Sequence, residues 1–452
     1  MDEPIYKPKR MHTVGGMFKR ILTLGTGLVL GFALAFGAAR LTLAWGWFPN
    51  RELNRSVDDF RDVLRKVNEN YVDATATDYD KLTKLALHGM VESLDPHSEF
   101  LEAKDYASLE DELSGDFCGI GVQVELRKGR VVVIAPIPGT PSERAGIQRG
   151  DEIVAVDGHG LDQDAPMDSV VDRLRGKPHT KVAIELHRPG TGKRLHLVLE
   201  REIIAIQSVR EPRVLQGHIG YIQIVEFSEH TGEEFDRALD GLLDRGVDSL
   251  ILDLRGNPGG LLDAAVEVAE PFFKKGELIV YTQGRKPQDR EDYRAEANGD
   301  PVSLPMAVLI NAGSASAAEV VTGALKDTGK AVIVGERSFG KGSVQSIFNL
   351  ARGEGLRLTT ALYYTPSGVS IHGKGITPQV AVVMTPDEDS KLALQRARPE
   401  LTDPAAFKER FGFAPIEDRQ LDAAVDVLSG LRLLDERNAA ADASGDQPVS
   451  LR

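Results

Sequence analysis

The spacing of apolar positions changes several times along the chain, and each change marks a different kind of structure. Val57, Phe60, Val63, Leu64, Val67 and Tyr71 recur at three- and four-residue intervals. That is the period of one apolar helical face, so residues from about 52 to 113 are predicted helical. Ser93-Leu94-Asp95-Pro96-His97-Ser98 interrupts them as a turn, because proline biases its predecessor away from helix. From Phe117 to about Glu202 the apolar runs shorten to strand length, as over 122–126, 131–135 and 182–187, with one helical stretch near 167–174. From about Gln207 to Val383 strand-like and helical runs alternate, the order of an α/β core. Residues 220–227, 249–254, 306–310, 331–334 and 356–364 read as strands, 233–243 and 261–274 as helices, and 283–300 as a charged loop. A short helix is expected over 418–434, then a mobile tail from Arg437 rich in Ala, Asp and Ser.

Near the N-terminus, residues 21–39 carry no charge and follow Lys7, Lys9, Arg10, Lys19 and Arg20. A basic flank holds the N-terminus inside while the apolar run enters the membrane. Residues 1–45 are therefore expected to act as a signal peptide or a signal anchor rather than as a buried core helix. Ala33, Ala35, Gly37, Ala38 and Ala39 offer small residues for cleavage. Cleaved or retained, the leader places the body on the exported side, either periplasmic or anchored to the outer face of the inner membrane.

Composition sets further limits. At roughly 100–200 residues per domain, 452 residues allow two to four domains. A hydrophobic content of 42% with 27% charged residues excludes wholesale disorder. Of the net charge of −14, the first forty residues contribute +4 and the remainder −18. So acidic a body disfavours nucleic acid and anionic lipid surfaces as partners, because phosphate neutralisation needs a basic face. A single cysteine, Cys118, excludes an intramolecular disulfide and a multi-cysteine zinc site.

The β-rich stretch carries the first chemical signal. Cys118-Gly119-Ile120-Gly121-Val122 places two glycines before a strand. Successive backbone N–H groups there can surround a peptide's terminal carboxylate while the strand pairs with the peptide. Gly119, Ile120, Gly121 and Val122 are thus the candidate peptide-binding residues, against the plainer reading of a β-sandwich with glycine turns. Together with Ala145-Gly146-Ile147 and Gly150-Asp151-Glu152-Ile153, the run resembles a PDZ domain of the bacterial, circularly permuted type. Arg175, after the helical stretch, reads as a structural arginine or as a sensor of that carboxylate.

The α/β core carries the second. Gly335-Glu336-Arg337-Ser338-Phe339-Gly340-Lys341 follows a strand in the manner of a phosphate loop. The residue after Lys341 is Gly342, so the Mg²⁺-holding hydroxyl is missing, and the carboxylate strand 250–253 precedes the loop instead of following it. Nucleotide binding is set aside on both counts. Asn311-Ala312-Gly313-Ser314-Ala315-Ser316-Ala317 instead places serines at a strand-to-helix turn, where helix N–H groups can hold an oxyanion. A helix N-cap is the competing reading of those serines. A nucleophile also needs a base: His372 or Lys341 would serve, the lysine only if neutral. Lowering a lysine from about 10.4 to 7–8 takes roughly 4 kcal/mol, which burial supplies.

These motifs resemble the carboxyl-terminal processing (tail-specific) serine protease family. Gly313–Glu319 and Gly335–Gln345 carry the similarity, with Ser93–Ser98, Leu252–Gly260 and Tyr363–Gly368 in the same order. The resemblance implies Ser316 as nucleophile, Lys341 as general base 25 residues later, and Gln345 as the group orienting the lysine. It implies backbone N–H groups of Ala317 and of Gly259 or Gly260 as oxyanion donors. Relatives usually have a small hydroxyl residue where Ala318 stands, and often Arg and Gln near Val369 and His372; none of these departures touches a catalytic position. The implied fold is α/β, a crotonase-like protease core with an inserted β-rich PDZ domain and helical ends. The segments are leader 1–45, helical region 46–115, PDZ domain 116–203, protease core 204–385, and C-terminal helical segment with mobile tail 386–452. The implied activity is metal- and nucleotide-free endoproteolysis through an acyl-enzyme, on exported proteins with exposed C-termini, in some relatives with an adaptor protein. A non-catalytic, membrane-tethered PDZ scaffold is the alternative, against which the joint presence of Ser316, Lys341 and Gln345 argues. Oligomeric state is open.

Overall fold

A computed structural model of the chain describes residues 50–127, 129–161, 166–398 and 401–444. The leader read at residues 1–45 and the end of the tail lie outside them. An N-terminal unit closes at Met90 and holds the helix Arg51–Asn70 and most of the helix Tyr79–Glu92. Asn50 caps the first of these through Oδ1, which accepts the N–H groups of Glu52 and Leu53. The remainder, from Val91, forms a second unit.

Within that second unit the β-rich stretch forms an antiparallel sheet. Its strands follow the order Val122–Arg127, Arg130–Pro136, Glu152–Val156, Lys181–Arg188, Lys193–Glu200. The helix Met167–Leu174 closes its core, with Val170 and Leu174 buried against Ile120, Val133, Val156 and Ile184. The chain enters this module on strand Asp116–Gly119 and leaves on Glu202–Ala205, and the two pair antiparallel.

The α/β part is built on six strands in the order Val209–Leu215, Ile219–Ile224, Ser249–Asp253, Met306–Ile310, Val332–Gly335, Val380–Ala381. All neighbours after the first pair run parallel. Every residue of Ser249–Asp253 and Met306–Ile310 is buried, which is why these strands read as continuous apolar runs instead of alternating ones. One face packs Ile222, Leu252 and Val308 against the helices Thr231–Leu243, Leu262–Ala269 and Ala317–Asp327. The other sets Tyr221, Ile251 and Leu309 against Ala424, Val425 and Leu428 of the C-terminal helix. A second sheet joins Glu99–Leu101, Gly355–Tyr364, Leu278–Gly284 and Arg290–Arg294, with Ser343–Asn349 also paired to Gly355–Tyr364.

Three expectations need correction. The stretch 283–300 is no simple loop: Arg290–Arg294 pairs antiparallel with Leu278–Gly284. Its charges lie on a solvent-facing edge, with Arg290 over the ring of Tyr281 at 3.8 Å, so the sequence looks polar where the backbone is a strand. The helix expected over 261–274 ends at Ala269 and tightens into the 3-10 turn Glu270–Phe272, where Pro271 removes a donor. The last helix runs Arg419–Ser444, through the start of the stretch read as mobile, and two further helices, Pro386–Arg396 and Pro404–Phe411, precede it. Thr385 and Asp403 cap those two, each followed by proline in the first turn.

A buried polar network ties this C-terminal segment to the central sheet. Arg255 donates to Asp253 at 2.6 Å and to Asp418 at 2.7 Å, while Arg396 reaches Asp253 at 3.2 Å and Tyr221 donates to it at 2.8 Å. Burial alone would raise the Asp253 carboxyl, but Arg255 and Arg396 outweigh it and hold the group well below the usual carboxylate range.

Candidate active site

Strand Met306–Ile310 ends at Asn311, and the turn that follows is fixed by side-chain bonds. Asn311 Oδ1 accepts the N–H groups of Gly256 at 2.8 Å and Gly313 at 3.1 Å. The two serines of the turn separate in role. Ser314 Oγ is fully buried, accepts from Asn311 N at 3.0 Å and donates to Leu254 O at 2.8 Å. Ser316 instead lines a cleft of about 290 Å³ together with Lys341, Gln345, Gly259, Gly260 and Tyr363. Its backbone has φ 54° and ψ −117°, a conformation costing a non-glycine residue about 1–3 kcal/mol and found where a side chain must be aimed. Ser316 immediately precedes the helix Ala317–Asp327; Ala318 N and Glu319 N bond back to Ala315 O and Ser316 O, which leaves the Ala317 N–H as the helical donor next to the serine. Burial raises the phenol of Tyr363 in the same cleft, and the Ser316 side chain opposes that shift.

The glycines opposite are there because nothing larger fits. A Cβ on Gly259 would lie 2.6 Å from Ser316 Cβ and 3.0 Å from Ala317 N; on Gly260 it would lie 2.0 Å from Phe227 O. Gly259 N–H donates to Asn257 Oδ1 at 2.8 Å. Gly259 O and Leu261 N bond Phe227 on one side of this short bridge, leaving the Gly260 N–H turned the other way. Gly259 therefore provides clearance, and Gly260 is the better placed of the two to donate beside Ala317.

Lys341 lies between Val332–Gly335 and Ser343–Asn349. Burial, then the nearby Arg357 guanidinium, push its ammonium below the ordinary lysine range; Glu112 opposes them. Gln345 lines the same cleft, and its Nε2 donates to Ser343 Oγ at 2.9 Å and Thr359 Oγ1 at 3.3 Å. His372, the other base the sequence offered, is exposed and is absent from the described residues lining the cleft.

One residue without an assigned role joins the two halves. Glu319 is buried, and its Oε2 accepts the backbone N–H of Ser316 at 3.0 Å and of Lys341 at 2.8 Å. Its Oε1 accepts Ser338 Oγ at 2.5 Å and Gly340 N at 2.7 Å. In sequence Glu319 passes for an ordinary capping-box residue three positions after Ser316. Tyr363 and Arg357 also escaped the sequence reading, because only the pairing of Gly355–Tyr364 with Ser343–Asn349 brings them to the cleft.

A second groove, of about 240 Å³, lies in the β module and is lined by Gly119, Ile120, Gly121 and Val122, with Leu174 and Arg175 opposite. Strand Val122–Arg127 is the outer strand of its sheet, so an extended peptide has an unpaired edge to join. Ile120 turns its side chain into the core and offers the groove its backbone. Arg175 is less ordinary than a surface arginine: it lies over the Phe117 ring at 5.3 Å and 3.9 Å from Asp111. Burial raises the Cys118 thiol above its usual value, the opposite of what a reactive thiolate needs.

Comparison with known proteins agrees with this architecture. Residues 218–382 match the model of peptidase family S41 and residues 118–199 that of the PDZ domain. The carboxy-terminal-processing protease of Bartonella bacilliformis is 39% identical over 372 residues, covering 81% of this chain and 83% of that protein. The carboxy-terminal processing protease CtpA of Bacillus subtilis is 39% identical over 305 residues, 67% of this chain and 64% of its own length. Among solved structures, a photosystem II D1 C-terminal processing protease is 33% identical, with a TM-score of 0.41, over 72% of this chain and 92% of that one. The chain belongs to the carboxy-terminal processing proteases of peptidase family S41, serine-type peptidases, and carries a PDZ domain.

Proposed function

We propose that this protein is an exported endopeptidase that reads the C-terminal tail of its substrate in the PDZ groove and cleaves it with a Ser316–Lys341 dyad. The observation that carries the reading is the shared cleft: a serine at positive φ before a helix, a lysine with a lowered pKa, and a glycine pair pressed against the serine. Neutral Lys341 takes the Ser316 proton as Oγ attacks the scissile carbonyl. The oxyanion is held by the N–H groups of Ala317 and Gly260. Collapse releases the amine fragment, which takes the proton from Lys341, and leaves an ester on Ser316. Lys341 then deprotonates a water that hydrolyses the ester and restores the serine. Gln345 orients the lysine throughout. The leader signals in residues 1–45 support export to the periplasm or the outer face of the inner membrane, where an adaptor protein is a further expected partner.

The test is cleavage of an unfolded protein ending in a free carboxylate by the wild type, Ser316→Ala and Lys341→Ala. Both variants are expected to lose turnover while retaining binding of the terminal peptide, and a C-terminal amide on that peptide should abolish binding. Turnover surviving in either variant removes the dyad. Retained affinity for the amidated peptide removes the carboxylate reading of the groove.

A further inference from the structure

The turn Ser93–Ser98 is the one sequence motif the chemistry above leaves unused. In the fold it precedes the strand Glu99–Leu101, which pairs with the start of Gly355–Tyr364. Asp95 Oδ1 accepts the N–H groups of His97 at 2.8 Å and Ser98 at 3.0 Å, and Oδ2 accepts Ser98 Oγ at 2.7 Å. Those bonds close the turn on itself. One more leaves it: Thr359 Oγ1 donates to Asp95 Oδ1 at 3.2 Å. Ser98 Oγ also accepts Thr359 N at 3.0 Å, so the threonine is held from two sides.

The polarity of this contact has a consequence at the cleft. An ionised carboxylate only accepts, so the Thr359 hydroxyl must spend its single proton on Asp95. Its oxygen is then an acceptor toward everything else, and the neighbour it meets is Gln345 Nε2 at 3.3 Å. An amide presents a donor end and an acceptor end of nearly equal shape, and its neighbours decide which way it turns. Ser343 Oγ, the other partner of Nε2 at 2.9 Å, is a hydroxyl and would accept or donate equally well. Thr359, committed by Asp95, decides the orientation. With the NH₂ end of Gln345 on Ser343 and Thr359, Oε1 is the end of the amide left to accept from Lys341, which lines the same cleft.

We propose that Asp95 and Thr359 are positioning residues that fix the amide orientation of Gln345, and through it the general base, by a directional chain of hydrogen bonds. The proposal rests on the reading of Gln345 as the group that orients Lys341. Burial by itself would raise the Asp95 carboxyl, but the hydrogen bonds from Ser98, His97 and Thr359 outweigh it and hold the group below the ordinary aspartate value. The acceptor-only state therefore persists wherever a lysine base is active. The charges acting on Lys341 come from Arg357 and Glu112, and Lys341 in turn helps burial to lower His97; a substitution at Thr359 removes none of these groups.

The experiment measures kcat, KM and the pH profile of kcat for the full chain on a tail-bearing peptide. The set is wild type, Gln345→Ala, Asp95→Ala, Thr359→Val, Thr359→Ser, and Asp95→Ala and Thr359→Val each combined with Gln345→Ala. Thr359→Val keeps the shape of the side chain and loses the hydroxyl; Thr359→Ser keeps the hydroxyl; Asp95→Ala removes the acceptor that commits the threonine proton. Loss of kcat by about tenfold or more is expected for Thr359→Val and Asp95→Ala, with KM unchanged and the acid limb of the profile displaced. Thr359→Ser should stay within about twofold of wild type, because it rebuilds the chain of bonds. Neither Asp95→Ala nor Thr359→Val should cost anything further once Gln345 is alanine, since the relay then has no end point. Should Asp95→Ala unfold the turn, the valine–serine pair at Thr359, checked by circular dichroism, still decides the matter. Wild-type kcat in Thr359→Val alongside a loss in Gln345→Ala overturns the relay and leaves the role of Gln345 standing. Losses that add fully to that of Gln345→Ala overturn it also, as a packing effect would. Full activity in Gln345→Ala removes the role of the glutamine and the relay with it.

Discussion

Glu319→Gln is the substitution for which the structure gives the firmest number. The wild-type carboxylate accepts four donors, two on each oxygen: Ser316 N and Lys341 N on Oε2, Ser338 Oγ and Gly340 N on Oε1. Glutamine keeps one oxygen. Turned toward the Oε2 partners, its NH₂ faces two buried N–H groups that have lost their acceptor; turned toward the Oε1 partners it strands one, Gly340 N, because the Ser338 hydroxyl accepts as well as donates. Each unsatisfied donor costs about 1–3 kcal/mol, so the variant should be less stable by about 1–6 kcal/mol, against the roughly 5–15 kcal/mol typical of a folded protein. The local effect is as informative as the global one. Releasing the Oε2 pair uncouples the backbone of Ser316 from that of Lys341, and for the proposed dyad a displacement of about 1 Å between reacting groups costs on the order of 10²-fold in rate. Urea unfolding followed by circular dichroism, beside single-turnover phosphonylation of Ser316 by a fluorophosphonate, separates the two consequences. Turning the amide oxygen toward Oε1's partners spares Gly340 and releases Ser316; turning it the other way does the reverse, so phosphonylation slows only in the first case. Unchanged stability together with unchanged phosphonylation would refute the clamp outright.

Further outcomes are expected elsewhere in the cleft and the core. Arg357→Gln removes a cation that depresses Lys341, so the acid limb of activity should move to higher pH, and Glu112→Gln should move it to lower pH; identical displacement of both would contradict the assignment of Lys341 as the titrating base. Gly259→Ala brings a methyl within 2.6 Å of Ser316 Cβ and should abolish turnover while peptide affinity at the PDZ groove, measured by fluorescence polarisation, stays at the wild-type level. Arg255→Met strands Asp253 without its main partner and should destabilise the protein by about 3–5 kcal/mol in urea titration. Asp253 titrates below its unfolded value, so the stability it contributes is complete above about pH 4 and is lost as pH falls through the folded pKa; Asp253→Asn should flatten that acid dependence.

The legible and illegible parts of the molecule divide along a physical line. The turn that holds Ser314 and Ser316, and the glycine-flanked Lys341, stood out because they are local patterns, while the choice of Ser316 and Lys341 over Ser314 and His372 came from the family resemblance. The buried parallel strands were legible for a related reason: residues 306–310 are apolar throughout, and the strand has those bounds. Tyr363 and Arg357 at the cleft, and Thr359 behind Gln345, were not legible as site residues, because strand pairing brings them there, with Gln345 opposite Thr359, and register is a long-range property. Arg290–Arg294 was misread because an exposed edge strand is free to carry charge on both faces. Glu319 was visible yet understated: its spacing from Ser316 reveals a cap, while its second pair of donors comes from residues 338–340, near in space only.

The paired strands Asp116–Gly119 and Glu202–Ala205 have a consequence for how such a protein diversifies. Because the chain leaves the host and returns to it through adjacent residues, the inserted module spans almost no distance at its base. Recombination can therefore replace the whole PDZ module as one cassette without rethreading the sheet that carries Ser316. A lineage is then free to acquire new tail preferences at the groove while its hydrolytic machinery is inherited intact. A chimera joined at Asp116 and Ala205 is the natural laboratory version of that exchange.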